Sequence, residues 1–383
     1  MTDFASITDF IRSLYPEKDF VGLHEPRFMG NEKKYLIDCI DSTYVSYVGK
    51  YVGRFEEMTA AYVGVKHAVA VVNGTCALQI ALQLKGVGEN DEVLTQAVTF
   101  VATVNAIAHT RAVPVFIDSE KEHLGMSPAA LEHFLENETV KHRDGFRYNK
   151  TSKRRIAACV PVHIFGHPAR ITEILEICNN YGILLIEDSA ESLGSKYRDR
   201  PMGTFGEMGI LSYNGNKTIT TGGGGMIITN DPELAKRAKH ITTTAKIPHP
   251  YEFFHDETGY NYRLTNLNAA IGCAQMEQID GFIRNKRELA EIYAGFFATM
   301  GIEFFTEKKD CYSNYWLNVI FLKDREERDA FLKYTNEHQV MTRPAWTMMN
   351  KLPMYKHCQS TDLSAAQWLE DHLVNIPSSV RIS

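Results

Sequence analysis

The sequence predicts an α/β fold built on a mostly parallel central sheet, and three observations lead to it. Short apolar runs alternate with segments of helical periodicity, which is typical of strands covered by helices on both faces. The chain has 383 residues, of which 44% are hydrophobic and 23% charged, so it can bury a large core. Beyond residue 281 the pattern changes, which indicates a second, smaller α/β domain.

The strands of the large domain are predicted where short apolar runs end at polar or turn residues. They cover residues 68–72, 92–95, 114–118, 157–163, 183–188, 208–213 and 225–229. Between them, apolar residues recur at helical spacing over 77–84, 100–109, 171–181 and 232–240.

The C-terminal part is predicted to contain a helix over 282–300, strands over 302–305 and 315–322, and a helix over 325–338. We therefore place a large domain, with an N-terminal arm, over residues 1–280 and a small domain over 281–383. The polar, basic stretch 136–155 is interpreted as a surface loop inserted before the next strand. The alternative is that its charge binds an anionic group.

Composition favours a protein that works in the cytoplasm. The net charge of −6 gives no reason to expect nucleic acid or an anionic membrane as partner. No apolar run approaches the roughly eighteen residues of a membrane span, and the N-terminus lacks the segments of a secretory leader. The seven cysteines show no Cys-x-x-Cys spacing, so reduced thiols are expected.

The sequence contains parts of a metal motif and of two nucleotide-binding motifs, and each of them is incomplete. His163 and His167 are four apart, but the glycine and proline beside them break the helix that would pair them, so no metal is expected. Asn216 interrupts the Gly-Lys-Thr order of a phosphate-binding P-loop. The segment 86–91 lacks the third glycine of a dinucleotide fingerprint.

Lys217 is the most informative residue for function. It lies among small polar residues, and the glycines 222–225 follow it, so its amine can approach a bound carbonyl. Upstream, the strand predicted over 183–188 places Asp188 at its C-terminal end, where open α/β sheets hold their ligands. A lysine that bonds to an aldehyde, with a carboxylate that pairs with a protonated pyridine nitrogen, is the minimum set for holding pyridoxal phosphate. Alone, a lysine near glycines is more often a turn residue.

A candidate phosphate site precedes this pair in the chain. The strand predicted over 68–72 runs into Asn73-Gly74-Thr75-Cys76, which opens a helix. Unpaired N–H groups and the helix dipole at such a start, together with the Thr75 hydroxyl, favour an anion. The alternative is that Thr75 is only an N-terminal cap.

Ordered motifs now identify a family. They are Asn-Gly-Thr-Cys-Ala-Leu (73–78), Thr-Phe-Val-Ala-Thr (99–103), Val-His-Ile-Phe-Gly-His-Pro (162–168), Glu-Asp-Ser-Ala-Glu-Ser-Leu-Gly (187–194), Ser-Tyr-Asn-Gly-Asn-Lys-Thr-Ile-Thr-Thr-Gly (212–222) and Gly-Tyr-Asn-Tyr-Arg-Leu-Thr-Asn (259–266). Together they resemble the sugar-nucleotide aminotransferases of the DegT/DnrJ/EryC/StrS group, over roughly residues 25–380. The resemblance implies the type I, aspartate aminotransferase-like fold of pyridoxal 5'-phosphate enzymes, and a homodimer.

The resemblance also implies residue roles. Lys217 and Asp188 form the catalytic pair, and Glu191 stands where many members carry Gln or His near the cofactor 3-hydroxyl. Asp188 and Glu191 are three residues apart in the sequence, and two carboxylates this close are expected to raise the pKa of one of them. The implied cofactor contacts are Gly74, Thr75, Cys76, Phe100, Asp188, Glu191, Ser212, Asn216, Lys217, Asn261 and Arg263, and the implied substrate contacts are His163 and Arg343.

Asn261 and Arg263 carry the expectation of a shared active site. In the family, residues at these positions reach the cofactor phosphate from the neighbouring subunit, so a monomer would be inactive. The alternative is an ordinary loop arginine paired with an acid. Phe100, which is expected to stack on the cofactor, has the alternative of a core residue.

Within the family, the chain resembles most the aminotransferases of legionaminic acid biosynthesis, through residues 49–56, 148–150 and 342–344. This implies amino transfer, with glutamate as the usual donor, to C4 of UDP-2-acetamido-2,6-dideoxy-4-keto-glucose. Arg343 and the basic insert are expected to supply donors for the diphosphate. GDP-perosamine synthases share several of these stretches, so GDP-4-keto-6-deoxymannose stays open as the substrate.

Two other classes of function compete with amino transfer. Relatives that dehydrate sugars carry His at the position of Lys217, which argues against that reaction. A non-catalytic regulatory or scaffold protein would need none of Lys217, Asp188 and Thr75 together. The sequence leaves open the nucleotide, the amino donor, the stereochemistry at the new amine and the final glycan.

Overall fold

The computed structural model describes residues 2–382. The helices are α1 Phe4–Ser13, α2 Glu32–Asp41, α3 Lys50–Val63, α4 Gly74–Leu84, α5 Val101–His109, α6 Pro128–Asn137, α7 Ile171–Tyr181, α8 Pro232–Thr242, α9 Asn266–Met276, α10 Ile279–Met300, α11 Arg325–Glu337 and α12 Ser364–His372. The strands are β1 His67–Val71, β2 Asp91–Gln96, β3 Val113–Ile117, β4 Thr139–Lys141, β5 Arg147–Asn149, β6 Arg155–Val160, β7 Leu184–Asp188, β8 Lys196–Tyr197, β9 Arg200–Pro201, β10 Met208–Ser212, β11 Gly225–Thr229, β12 Lys246–Ile247, β13 Phe254–His255, β14 Glu303–Phe304, β15 Cys311–Tyr312, β16 Asn318–Phe321, β17 Arg343–Pro344 and β18 Leu373–Ile376.

The main sheet has the strand order β1-β11-β10-β7-β6-β2-β3. β3, β2, β6, β7 and β10 pair in parallel, and β11 pairs antiparallel with both β10 and β1. The predicted α/β class with a mostly parallel sheet is confirmed. Helix 171–181 and strand 225–229 have the predicted limits, and the other predicted elements of the large domain differ by a few residues at their ends.

The sheet is covered on both faces, as parallel strands require. One face packs against α4 and α8 in a cluster that includes Ile80, Ile107, Ile186, Ile227 and Ala238. The other face carries further buried clusters against α3, α9 and α10, and against α6 and α7. Because helices occupy both faces, the strand ends are the place left for a ligand site.

Within the basic stretch 136–155, residues 139–149 form a hairpin of β4 and β5. The stretch is inserted before β6 as predicted, but it is a hairpin and not an irregular loop. Tyr148 pairs with Arg155, which attaches the hairpin to the start of β6. Asn149 is fully buried and donates to Glu92 at 2.7 Å, a partner far away in sequence. The hairpin therefore lies at the N-terminal end of the parallel strands, away from the edge where they end.

The C-terminal part contains an antiparallel sheet in the order β14-β16-β18-β17, with α10, α11 and α12. α1 belongs to this layer, because Ile7 and Ile11 lie in one buried cluster with Phe331 and Val374. These residues belong to the N-terminal arm of the predicted large domain, and this arm contributes α1 to the C-terminal layer. The apolar side chains of α1 must pack against another apolar surface, and the sequence of α1 does not specify which surface that is.

The state of the cysteines and the character of the helices were also predicted from the sequence. The seven cysteines are free thiols. Among residues 2–382, none of the helices has the length and apolarity needed to cross a membrane.

Candidate active site

A cavity of about 310 Å³ opens at the edge where the parallel strands end. β7 ends at Asp188 and β10 at Ser212, while the segments after β1 and β2 carry Asn73 and Thr99 to the same edge. Among the predicted cofactor contacts, those that line this cavity are Gly74, Thr75, Phe100, Asp188, Glu191, Ser212, Asn216 and Lys217.

The glycine run brings the start of β11 against the start of α4. A Cβ at Gly225 would lie 2.3 Å from the carbonyl carbon of Asn73, so only glycine allows this approach. The Tyr213 N–H donates to the Gly224 carbonyl at 2.9 Å, which closes the loop between β10 and β11. That loop carries the candidate lysine over the strand ends.

The amine of Lys217 is held between an acid and an aromatic ring. Its Nζ lies 3.1 Å from Glu191 Oε1 and 3.8 Å from the centre of the Trp316 indole. The side chain is 12% exposed, so these contacts are little screened by solvent. The lysine is thus fixed at the cavity wall rather than free in solution.

Glu191 connects Lys217 to a neighbouring loop. Its Oε2 accepts the Phe165 N–H at 2.8 Å, while Oε1 accepts from the lysine. Burial raises the pKa of Glu191 above its ordinary value, and the Lys217 charge and the Phe165 N–H oppose that rise. The negative charge of Asp188 raises the pKa of Glu191 by a smaller amount. Desolvation is therefore the main cause of the raised pKa, and the repulsion between the two carboxylates expected from the sequence is a minor one.

Asp188 is fixed at the end of β7 by two donors. The Thr103 hydroxyl donates to Oδ2 at 2.7 Å, and the Ala190 N–H donates to Oδ1 at 3.1 Å. The residue is buried, yet it lines the cavity. A carboxylate held this way can pair with a cationic ring nitrogen placed in the cavity.

The start of α4 has the features of an anion site. Asn73 is its N-cap and accepts the Cys76 N–H at 2.8 Å, so Thr75 is not the capping residue. Among the described residues, neither the Gly74 nor the Thr75 N–H has an acceptor. These donors, together with the Thr75 and Ser212 hydroxyls, can bind a phosphate.

Sequence reasoning missed several residues of the cavity. Trp316 and Trp346 come from the C-terminal part of the chain, and Trp346 stacks on Phe165 with ring centres 4.8 Å apart. Thr99 lies just before α5, and Thr103, in the first turn of α5, donates the hydrogen bond that supports Asp188. The tryptophans lie far from the lysine motif in the sequence, so no local pattern connects them with it. The only signal for them in the sequence is that tryptophan is rare, with 3 in the chain.

The structure does not bring His163, a predicted substrate contact, to the lining of the cavity. The ring is fully buried, its Nδ1 accepts the Ala169 N–H at 3.2 Å, and its Nε2 lies 3.3 Å from Glu187. Glu187 also accepts the Gly203 N–H at 2.9 Å. This group of hydrogen bonds holds loops together and leaves His163 no free atom for a ligand.

Arg343 and Cys76 also lie outside the lining of the cavity. Arg343 is exposed on β17, where it donates to Asn336 at 3.0 Å. The Cys76 N–H is used by Asn73, and burial raises the pKa of its thiol. Within one chain, neither residue contacts the space around Lys217.

Arg263 is buried in an ion pair within its own chain. It donates to Glu56 at 2.6 Å and to the Ala70 carbonyl at 2.8 Å. Asn261 is exposed and bridges to Thr243 through the backbone. Both lie away from the cavity of the chain to which they belong.

One group of possible metal ligands occurs among residues 2–382: His240, Asp256 and Glu257. Arg237 donates to the Glu257 carboxylate at 3.0 Å, so a cation is already present there. His163 and His167, which are four apart in the sequence, do not belong to such a group among the described residues.

Comparison with known proteins decides the family. The model of the DegT/DnrJ/EryC1/StrS aminotransferase family matches residues 27–383. The chain belongs to this family. It is 38% identical to a GDP-perosamine synthase of Escherichia coli O157:H7 over 364 residues, covering 94% of each chain, and 37% identical to one of Vibrio cholerae over 361 residues, again covering 94% of each.

Its fold is that of a solved aminotransferase. The crystal structure of the aminotransferase TlmJ from Streptoalloteichus hindustanus superposes with a TM-score of 0.83 at 27% identity, covering 93% of each chain. The protein is thus a pyridoxal phosphate-dependent sugar-nucleotide aminotransferase, and the non-catalytic alternative is set aside.

The residues of the cavity fit this cofactor. A lysine amine, a buried carboxylate and two N–H groups without acceptors match its aldehyde, ring nitrogen and phosphate. A Cβ at Gly74 would lie 3.2 Å from the Ser212 Cβ, so a larger residue would fill the space between the two phosphate-binding segments. The donor set and its shape both agree with pyridoxal phosphate.

Proposed function

We propose that this aminotransferase moves an amino group, with glutamate as donor, to C4 of a nucleotide-linked 4-keto-6-deoxy sugar. The observation that supports it is one cavity containing Lys217 Nζ, the Asp188 carboxylate and the anion site at Thr75. Each group comes from a different strand end, and together they form the set that transamination on pyridoxal phosphate requires.

Asp188, Thr75 and Ser212 would hold the cofactor. Bound pyridoxal phosphate supplies a conjugated ring that withdraws electrons from the carbon next to the reacting nitrogen. Asp188 would stabilise the positive charge on the ring nitrogen, because its two donors fix the carboxylate in place. The N–H groups of Gly74 and Thr75, with Ser212, would bind the phosphate, and Phe100 would limit the tilt of the ring.

Lys217 would bond to the cofactor and later move a proton. When a donor amine takes its place, Nζ of Lys217 is free to carry the proton between the cofactor and the substrate carbon. Glu191, at 3.1 Å, keeps that amine close to the reacting atoms.

The first proposed substrate is UDP-2-acetamido-2,6-dideoxy-4-keto-glucose, supported by the sequence similarity at residues 49–56 and 342–344. The second is GDP-4-keto-6-deoxymannose, supported by the GDP-perosamine synthases that are 37% and 38% identical. In the structure, the insert at 148–150 lies at the opposite end of the sheet and Arg343 lies outside the cavity, so neither lines the cavity of its own chain.

The two sugars are separated by one kinetic comparison. We expect kcat/KM for the UDP-acetamido sugar to exceed that for the GDP sugar by at least about a hundredfold, because a site that hydrogen-bonds an acetamide leaves buried polar groups unpaired when the group is missing. The measurement is steady-state amination of each 4-keto sugar nucleotide with glutamate held constant.

The 2-hydroxy UDP sugar serves as the control, since it differs from the first substrate only at C2. Equal values for the two UDP sugars, or a preference for the GDP sugar, would overturn the acetamido assignment. The aminotransferase assignment would stand in either case.

The raised pKa of Glu191 predicts an acid limb in the pH profile. As pH falls through that pKa, which lies above the ordinary value of 4.5, the carboxylate gains a proton and its attraction for Lys217 weakens. We expect kcat to fall on the acid side, and Glu191→Gln to remove this limb. At neutral pH, Glu191→Gln should lower kcat about ten- to a hundredfold, which is the range for a hydrogen bond to a charged group.

Glu207→Gln is the matched control, because Glu207 pairs with Lys85 in a more exposed ion pair away from the cavity. It should keep both the rate and the pH profile. An unchanged acid limb in Glu191→Gln would assign that limb to another group.

We also propose that the enzyme is a homodimer whose subunits share active sites. Exposed apolar side chains support an interface, and they are Phe28, Met29, Ile37, Ile40, Tyr44, Tyr47, Val48, Tyr251, Phe253 and Phe254. Exposed apolar surface of this extent is typical of a protein contact. Part of it adjoins a second cavity lined by Tyr47, Val48 and Arg263, close to the segment that carries Asn261.

Subunit complementation tests the shared site. Arg263 supports Glu56, so its loss would damage the fold, and exposed Asn261 is the better target. Asn261→Asp would place a negative charge near a neighbour's cofactor phosphate and should inactivate that site. Lys217→Ala and Asn261→Asp proteins, refolded together, should regain part of the activity, because some mixed dimers contain one intact site.

Sedimentation shows whether dimers form, and differently tagged subunits show whether they exchange. A lack of recovery in proven mixed dimers would refute the shared site. A monomer with full activity would refute the dimer as well.

A further inference from the structure

Trp316 extends from the C-terminal part of the chain to the catalytic lysine. Its indole centre lies 3.8 Å from Lys217 Nζ, and it lines the same cavity. Its Nε1–H donates to the Asn216 carbonyl at 2.6 Å, across 100 residues of sequence. The ring is thus bonded to the backbone beside the lysine while its face contacts the lysine amine.

The backbone of Trp316 is fixed on both sides. Its N–H donates to Asn314 Oδ1 at 2.7 Å, and its carbonyl accepts from the fully buried Lys286 at 3.1 Å. The Asn314 side chain also donates to the Glu191 carbonyl at 3.0 Å. Trp316 and Glu191, the two partners of the lysine amine, are therefore held in one rigid arrangement.

These two partners act differently on the amine. A carboxylate can accept a proton from Lys217, whereas the face of an indole attracts only the charged ammonium and cannot take its proton. The ring therefore favours the state in which the lysine is detached from the cofactor and carries its full charge.

We propose that Trp316 is a positioning residue that stabilises Lys217 as a released ammonium when a donor amine replaces it on the cofactor. This rests on the proposed role of Lys217. In the exchange, the bond from Nζ to the cofactor carbon breaks and the bond from the donor nitrogen forms. Nζ is uncharged while it is bonded to the cofactor, and three protons pass from the donor ammonium to it as it leaves, so charge and atoms balance.

Replacing Trp316 should strengthen the attachment of the cofactor and weaken its reaction with the amino donor. Trp316→Leu removes the ring face, so the released ammonium loses stability. Pyridoxal phosphate should then be attached to Lys217 more completely at equilibrium, and L-glutamate should displace the lysine less readily. Each equilibrium constant should change about two- to thirtyfold, the range of a cation–π contact.

The first measurement needs no turnover: cofactor-free protein is titrated with pyridoxal phosphate and the attached fraction is read from absorbance. The second is the half-reaction with L-glutamate alone. Trp316→Phe keeps a weaker aromatic face and should change both constants in the same directions by a smaller factor.

Trp368→Leu is the matched control. Trp368 also carries a lysine on its face, with Lys121 Nζ at 4.1 Å, but it lies on α12 outside the cavity. Both constants should be unchanged in this variant. Thermal unfolding compares the stability of all three variants, and Trp316→Phe keeps the test available if Trp316→Leu does not fold.

Weaker attachment of pyridoxal phosphate together with weaker reaction with glutamate would indicate general damage and overturn the inference. Unchanged constants in Trp316→Leu, or an equal effect of Phe and Leu, would overturn it too. Failure of the proposed function gives a different result, because pyridoxal phosphate would then attach to another lysine in the unmodified protein.

Discussion

Lys217→Ala should lower kcat by at least about a thousandfold. The variant loses both the covalent attachment of pyridoxal phosphate and the base that moves the proton, and an acid–base group alone contributes about 10²–10⁴-fold. Of the residues 2–382, Lys217 is the one lysine that lines the cavity, so no second described amine can replace it there. Steady-state amination with glutamate as donor measures the loss.

Labelling identifies the attachment site directly. Borohydride reduction of the loaded enzyme, followed by peptide mass mapping, should find the adduct on Lys217. Lys85→Ala is the control, because Lys85 pairs with Glu207 away from the cavity and its removal should leave kcat unchanged. An adduct on a different lysine would refute the assignment.

Asp188→Asn should lower kcat about a hundred- to a thousandfold, while the fold stays intact. A neutral amide cannot stabilise the charge on the ring nitrogen, and loss of one preorganised electrostatic contact has this size of effect. The amide oxygen can still accept from Thr103, so the local structure has a reason to persist. Single-turnover reaction with glutamate measures the rate, and thermal unfolding measures the stability.

Asp118→Asn is the matched control for this change. Asp118 is also a buried carboxylate after a strand, but it accepts the Ala365 and Ala366 N–H groups at the start of α12. Its replacement should lower the unfolding temperature and leave kcat near the unmodified value. If Asp188→Asn kept its rate, the ring nitrogen would need another partner.

The sequence predicted the main sheet well because its strands are apolar runs of ordinary length. Such runs are local signals, and their order, 68–72 to 225–229, sufficed for the α/β class. It failed at residues 139–149, where a polar hairpin forms, because the pairing of Tyr148 with Arg155 and the bond from Asn149 to Glu92 are not local.

Candidate site residues were likewise predicted well where the signal is local and poorly where it depends on contacts between distant segments. Asp188 and Ser212 end strands and Thr75 follows one closely, so predicting the strand also placed the residue at the sheet edge. His163 follows a strand as well, yet its ring turns into the interior and bonds to Glu187. Which way a side chain points after a strand depends on its neighbours in space, which the sequence pattern does not contain.

The sequence by itself determined the family and the cofactor, and it led to the proposed lysine–carboxylate pair, because these depend on residues close to predicted strand ends. The tertiary structure alone decided that Glu191 and Trp316 hold the Lys217 amine, that α1 packs on the C-terminal layer, and that Arg263 pairs with Glu56. These contacts join segments distant in the chain. Their free energy comes from desolvation and close packing, which exist only once the chain has folded.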